Sequence, residues 1–166
     1  MKENFTISAE KGIQNLRKNG AFLTAKCSDK VNVMTIGWGN AGFEWGKPIF
    51  TILVRKSRYT HKLIEESGEF TVSIPFDDKL KQELSICGTK SGRNTDKVKE
   101  CKLKLLKGAS VSTPVVDGCN LYYECKIVYK HDMNEENLND NIIKNCYGDN
   151  DYHTIYYGEI IDVYTR

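Results

Sequence analysis

Hydrophobic and polar positions change period several times along the chain, and each change marks an element. From Ser8 to Lys18 the apolar positions Ala9, Ile13 and Leu16 recur at helical spacing, with Ser8 placed to cap the helix and Gly20 to stop it. Ala21 to Cys27 and Val31 to Trp38 read as the two strands of a hairpin turned by Ser28-Asp29-Lys30. Pro48 to Arg55 is apolar throughout, the pattern of a strand covered on both faces. Thr60 is placed to cap a helix through Glu66 that ends at Gly68, and Glu69 to Ile74 returns as a strand closed by Pro75. Asp77 or Asp78 opens a further helix in which Leu80, Leu84 and Cys87 share one face, with Gly88 at its C-terminal position. Thr89 to Lys99 is polar and basic, a loop with one helical turn. In Cys119 to Tyr129, alternation puts Cys119, Leu121, Tyr123, Cys125, Ile127 and Tyr129 on one face, and Asn120, Glu124, Lys126 and Lys130 on the other. Asp132 to Tyr152 is a surface excursion rich in Asn and acids, and Thr154 to Tyr164 is a last strand.

Six or more strands in neighbouring runs, with few helices between them, predict a mainly β fold: an antiparallel sheet or barrel with peripheral helices. Alternating βαβ units are missing, and so are G-x-G-x-x-G and G-x-x-x-x-G-K-[ST], which argues against a Rossmann or P-loop domain. The 166 residues show no repeat and no linker, so residues 1–166 are expected to form a single domain.

Composition narrows the class. With 40% hydrophobic and 28% charged residues the chain is neither disordered nor collagen-like. The longest apolar stretch, Pro48 to Val54, is too short to span a bilayer. Met1-Lys2-Glu3-Asn4 lacks the features of an ordinary secretory signal, so a cytoplasmic location is expected. A formal net charge of +2 is small for a dedicated nucleic-acid binder. None of the six cysteines stands in a C-x-x-C pair, and they read as reduced, buried side chains. No His/Cys cluster has metal-ligand spacing, and Asp132 to Asn137 fails as a calcium loop because Asn137 replaces the required Gly.

Three segments carry candidate chemistry. Asn32-Val33-Met34-Thr35-Ile36-Gly37-Trp38 joins an amide, a hydroxyl and a glycine on one strand, suited to the polar edge of a flat ring. The same residues also fit a twisted strand with a bulge at Gly37. Arg55-Lys56-Ser57-Arg58-Tyr59-Thr60 places cations and hydroxyls at a helix start, where free N–H groups and the helix dipole favour a phosphate. A solvated cationic cap is the plainer alternative. Cys87-Gly88-Thr89-Lys90-Ser91-Gly92-Arg93 and Lys97 supply a second small, basic, hydroxyl-rich loop. His153, opening the last strand, is the most suggestive of the three histidines.

In order and spacing these segments resemble the flavin reductase-like FMN-binding proteins of the split-barrel fold, and most of all the flavoredoxins. The matching residues are Asn32-x-Met34-Thr35-x-x-Trp38, Pro48, Arg55-x-x-x-Tyr59-Thr60, Glu69-Phe70-Thr71-Val72-Ser73, Ser91-Gly92-Arg93-x-x-Asp96-Lys97 and His153-Thr154-Ile155-x-x-Gly158-Glu159. The resemblance implies a six-stranded antiparallel split barrel and a homodimer with FMN near its interface. It implies an oxidoreductase using NADH or NADPH to reduce flavin or another small acceptor, or else a carrier exchanging electrons with a redox partner protein. Neither nucleic acid nor membrane is an expected partner. By resemblance Asn32, Met34, Thr35, Ile36, Gly37 and Trp38 would lie along the flavin and its ribityl chain. Arg55, Lys56, Ser57 and Thr60 would hold the phosphate. Cys87, Gly88, Ser91, Gly92, Arg93 and Lys97 would close over the site, with loop 91–97 from the same or the neighbouring subunit. His153 would sit near the flavin edge, and Trp45 is a candidate cover for the ring. No catalytic side chain is required, because the chemistry would be the flavin's. The Asn-rich stretch from Asn134 to Asn150 matches no motif of the family.

Overall fold

In the computed structural model, which describes residues 4–166, α1 (Ala9–Asn19) precedes a hairpin of β1 (Ala21–Cys27) and β2 (Lys30–Ile36). A second hairpin follows, β3 (Gly39–Glu44) and β4 (Lys47–Arg55), and then α2 (Tyr59–Ser67), β5 (Glu69–Ile74), α3 (Lys81–Thr89) and α4 (Lys97–Glu100). Two short strands, β6 (Leu105–Leu106) and β7 (Val115–Val116), lead to the long β8 (Leu121–Asp132). After a 3-10 turn (Glu135–Asn137) and α5 (Asp140–Cys146), β9 (His153–Thr165) closes the chain. Met1–Glu3, which carry most of the N-terminal signal reading, lie outside the described residues.

The expected six-stranded barrel is corrected to a seven-stranded antiparallel sheet in the order β2-β1-β5-β8-β9-β4-β3. Among the described residues no ladder joins β2 to β3, so the sheet stays open. The unexpected strand is β3, whose residues Gly-Asn-Ala-Gly-Phe-Glu give no apolar pattern. Its turn makes it: Trp45 and Gly46 both take positive φ (52° and 72°), the two-residue geometry whose twist matches antiparallel strands.

The sheet curls around its main core. Leu23, Phe50, Ile52, Phe70, Val72, Tyr123 and Tyr156, from five strands, pack in one buried cluster with Leu16 of α1 and Leu63 and Ile64 of α2. Gly158 lets β9 approach, since a Cβ there would lie 2.5 Å from the Phe70 ring. The opposite face carries a second cluster, in which Phe22, Val33 and Tyr122 meet Leu84 and Cys87 of α3 and Val115 and Val116 of β7. Cys119 belongs to that second cluster, not with Tyr123 and Cys125 as alternation suggested, because β8 begins only at Leu121. Glu124, which alternation placed on one face with Lys126 and Lys130, is fully buried beneath the segment that crosses this face.

Helix starts also differ from expectation. Ser8 takes positive φ and makes no side-chain cap. Arg58, not Thr60, holds the cap position of α2. Leu80, not Asp77 or Asp78, precedes α3, which runs through Gly88 to Thr89. All six cysteines are free thiols. Among the described residues no helix is long and apolar enough to cross a membrane.

Candidate functional site

The end of β2, the start of α2, the end of α3 and the opening of β9 converge on two adjoining cavities. The first, about 180 Å³, is lined by Met34, Thr35, Ile36, Gly37, Trp38, Leu53, Arg55, Arg58 and His153. The second, about 160 Å³, is lined by Asn32, Met34, Ser57, Arg58, Tyr59, Thr60, Cys87, Gly88, Lys90, Ser91, Gly92, Arg93 and Lys97. Met34 and Arg58 border both. One side of the paired site is therefore the more apolar, where Met34, Ile36, Trp38 and Leu53 meet Arg55, Arg58 and His153, and the other is basic and rich in hydroxyls and glycine.

The basic cavity is held by contacts between elements distant in sequence. Asn32 is buried and its Nδ2 donates to Thr60 Oγ1 at 2.7 Å, tying β2 to α2. Gly92 packs so closely on Asn32 that an added Cβ would lie 2.1 Å from its Oδ1. Arg93 donates from Nη1 to the Ser57 carbonyl at 2.7 Å, so loop 91–97 reaches the site within one chain. Lys97 is only 3% exposed. Its ammonium donates to the Cys87 carbonyl at 3.0 Å and has no carboxylate partner among the described residues. Burial lowers its pKa from the usual lysine range. A buried ammonium with donors to spare is suited to an anion.

Of the residues expected at the site, all but Lys56 and Trp45 line the two cavities. Lys56 turns away, and its Nζ lies 2.7 Å from Asp132 Oδ2. Arg55 lines the apolar cavity, but its guanidinium is committed to the Asn-rich segment. Nη1 donates to Asp149 Oδ1 at 3.0 Å and to the Asp151 carbonyl at 2.8 Å, and Nη2 to the Cys146 carbonyl at 2.6 Å. Ser57 is partly engaged too, its N–H donating to Asp151 Oδ1 at 3.3 Å. Arg55 and Lys56 are thus engaged with carboxylates and carbonyls, whereas Arg58 and Lys97 are the cations of the two runs that line the basic cavity beside Lys90 and Arg93. Thr35 donates its hydroxyl to the Leu84 carbonyl at 2.6 Å and so fixes α3 against β2. Sequence reasoning counted Arg58 among the cations of this helix start without giving it a place in the expected site, and it missed Leu53 and Tyr59 as lining residues. Trp45 is not at the site: its ring packs against Tyr129 and Tyr157, with centroids 5.7 and 5.6 Å away.

His153 is 7% exposed and forms part of the apolar cavity wall. The exposed Trp38 ring flanks it at 5.4 Å. Its Nδ1 lies 2.7 Å from the hydroxyl of Tyr147, a residue that no sequence signal marked. Burial, with the Arg55 charge, lowers the imidazole pKa to about 4, so the ring is neutral at pH 7. Among the described residues no group of three His, Cys, Asp or Glu side chains is placed to hold a metal ion.

The model of the flavin reductase like domain matches residues 15–166. An uncharacterized protein of Archaeoglobus fulgidus is 29% identical over 142 residues, which cover 86% of this chain and 70% of that protein. The uncharacterized protein YddH of Escherichia coli is 29% identical over 110 residues, covering 66% of this chain and 57% of its own length. Among solved structures, flavoredoxin from Methanosarcina acetivorans superposes with a TM-score of 0.70 at 25% identity, covering 89% of this chain and 68% of that one.

Proposed function

Since the chain belongs to the flavin reductase like domain family, we propose that it is an FMN-binding oxidoreductase that takes electrons from NADH or NADPH and delivers them to flavin or another small acceptor. The observation that carries the reading is the paired cavity, apolar at one end and basic at the other, joined at Met34 and Arg58. A flavin mononucleotide has the same polarity, a flat ring at one end and a phosphate at the other.

The residues fit that group. Lys97 and Arg58 would hold the phosphate, helped by the Ser91 hydroxyl and the Tyr59 and Thr60 N–H groups that open α2. Gly88 and Gly92 allow backbone to approach where a side chain would block. Met34, Ile36 and Gly37 would flank the ring from β2, and Leu53 and His153 from the opposite wall. FMN, when bound, supplies the redox step, taking up and passing on a hydride or electrons. The chain's part is to bind, orient and limit access. A homodimer belongs to the same proposal.

A second reading, an electron carrier that exchanges electrons with a partner protein, is favoured by the likeness to flavoredoxin. One experiment separates them: visible spectra of the protein with FMN, taken anaerobically with NADH, then NADPH, then dithionite. A bound-flavin spectrum that bleaches with a nicotinamide nucleotide supports the reductase. Bleaching by dithionite alone supports the carrier. Failure to take up FMN rejects both.

A further inference from the structure

The hydrogen bonding of Tyr147 and His153 can be worked out atom by atom. Tyr147 follows α5 and is 2% exposed. Its ring stands edge-on to the imidazole, with centroids 5.4 Å apart and planes at 84°. It stacks on Tyr152 at 5.0 Å, and the Arg55 guanidinium lies 5.2 Å from it. The same guanidinium binds the Cys146 and Asp151 carbonyls, so Arg55 clamps the segment that carries Tyr147.

A buried phenol hydrogen needs an acceptor. Among the described residues the Tyr147 hydroxyl has one hydrogen-bond partner, Nδ1 of His153. Were Nδ1 protonated, it would donate to the phenol oxygen, and the phenol hydrogen would be left buried with no acceptor. The phenol therefore donates, Nδ1 accepts, and the proton of the neutral ring sits on Nε2. Nε2 has no hydrogen-bond partner among the described residues, and the ring lines the apolar cavity.

We propose that Tyr147 is a positioning residue that holds His153 as its neutral Nε2–H tautomer, so that the imidazole offers one N–H donor to an acceptor atom at the edge of the ring bound in the cavity. The identity of that ring rests on the proposed function, whereas the tautomer does not. The charged groups facing His153 are Arg55 and Arg58, which oppose its protonation, and Asp149 and Asp151, which favour it; burial is the largest single influence and acts with the arginines. The donor role thus needs no titration near neutrality.

The test is nitrogen NMR of the histidine rings in the flavin-free full chain, with His153→Gln to assign the signals. The expected result is His153 protonated at Nε2 alone from about pH 5.5 to 8. In Tyr147→Phe both tautomers should appear and the titration midpoint should rise by about one unit. An Nδ1–H signal in the wild type overturns the proposal, and so does a His153 signal that Tyr147→Phe leaves unchanged. If the variant fails to fold, the wild-type tautomer still decides. Adding FMN should shift the Nε2–H resonance, and uptake of FMN without any shift overturns the donor role. The expected tautomer without FMN uptake supports the Tyr147 assignment and rejects the flavin reading instead.

Discussion

A single added methyl at Gly92 would lie 2.1 Å from Asn32 Oδ1 and 2.9 Å from the Tyr59 ring. Asn32 cannot step aside cheaply, because it is buried and its amide is held by Thr60. The loop must lift instead, taking Arg93 and Lys97 away from the basic cavity. Gly92→Ala is therefore expected to weaken FMN binding by about tenfold or more, equivalent to ~1.4 kcal/mol. The melting temperature should move by less than about 2 °C, since the loop is mostly exposed. A flavin fluorescence titration checks this, and wild-type affinity would detach the loop from the site. Gly92 was legible only through the family resemblance, in which Ser91-Gly92-Arg93-x-x-Asp96-Lys97 is the most specific match; as a bare loop the segment carried a weak signal. The direction of neighbouring cations was not. Arg55 and Lys56 are both basic, but successive side chains leaving a strand point to opposite sides, so one lines the cavity and the other meets Asp132. Tyr147 was invisible because a lone aromatic in a polar stretch has no pattern until the chain folds back on β9.

At the scale of elements, periodicity located the strands that face a core and misread those whose second face is covered later in the chain. Glu124 shows why. Alternation in β8 placed it with Lys126 on an outer face, but the chain between Leu106 and Val115 returns across that face. The carboxylate accepts N–H groups from Ala109 at 2.8 Å, Ser110 at 2.6 Å and Val111 at 3.1 Å, and the Tyr164 hydroxyl at 2.8 Å. It thus organises a segment with almost no regular structure. Glu124→Gln would turn an amide toward N–H donors and is expected to cost about 3 kcal/mol. Hydrogen exchange should accelerate most at Ala109, Ser110 and Val111. FMN binding by the folded fraction should be unchanged, because the segment lines neither cavity. Equal protection of those amides in the variant would contradict the anchoring role. Helix starts were misplaced for a related reason: Thr60 has the chemistry of a cap, yet its hydroxyl accepts from Asn32, a residue 28 positions away that no local pattern reveals.

Over the whole molecule, the mainly β antiparallel class was readable from the strand count, but the seventh strand and the open edge were not. β3 exists through its turn and its pairing to β4, not through its own apolar content. The folded molecule also sets a pH profile. His153 has a folded pKa of about 4 against an ordinary 6.5, and His61 is likewise lowered by burial. Below pH 6.5 the unfolded chain binds the protons that these folded imidazoles refuse, so stability falls with pH down to about 4. The His153 share of that loss is at most about 3.5 kcal/mol. Carboxylates held low in the fold act lower down. Asp132, bonded to the Lys56 ammonium, and Asp149, bonded to the Asp151 N–H, lose their contribution only as pH falls past the ordinary 3.8. On the alkaline side burial raises the Cys87 thiol to about 12 and raises Cys119 and Cys125 as well. Their contribution is complete below the ordinary thiol value of 9.0 and declines above it, as the unfolded thiols ionise. Stability in urea should therefore be highest between about pH 6.5 and 9, with an acid limb owed to imidazoles rather than carboxylates. His153→Gln should flatten the limb between about pH 6.5 and 5 while leaving the alkaline decline intact. An unchanged acid limb in that variant would mean that His153 takes up its proton in the fold as readily as in the unfolded chain, so that burial does not hold the ring neutral.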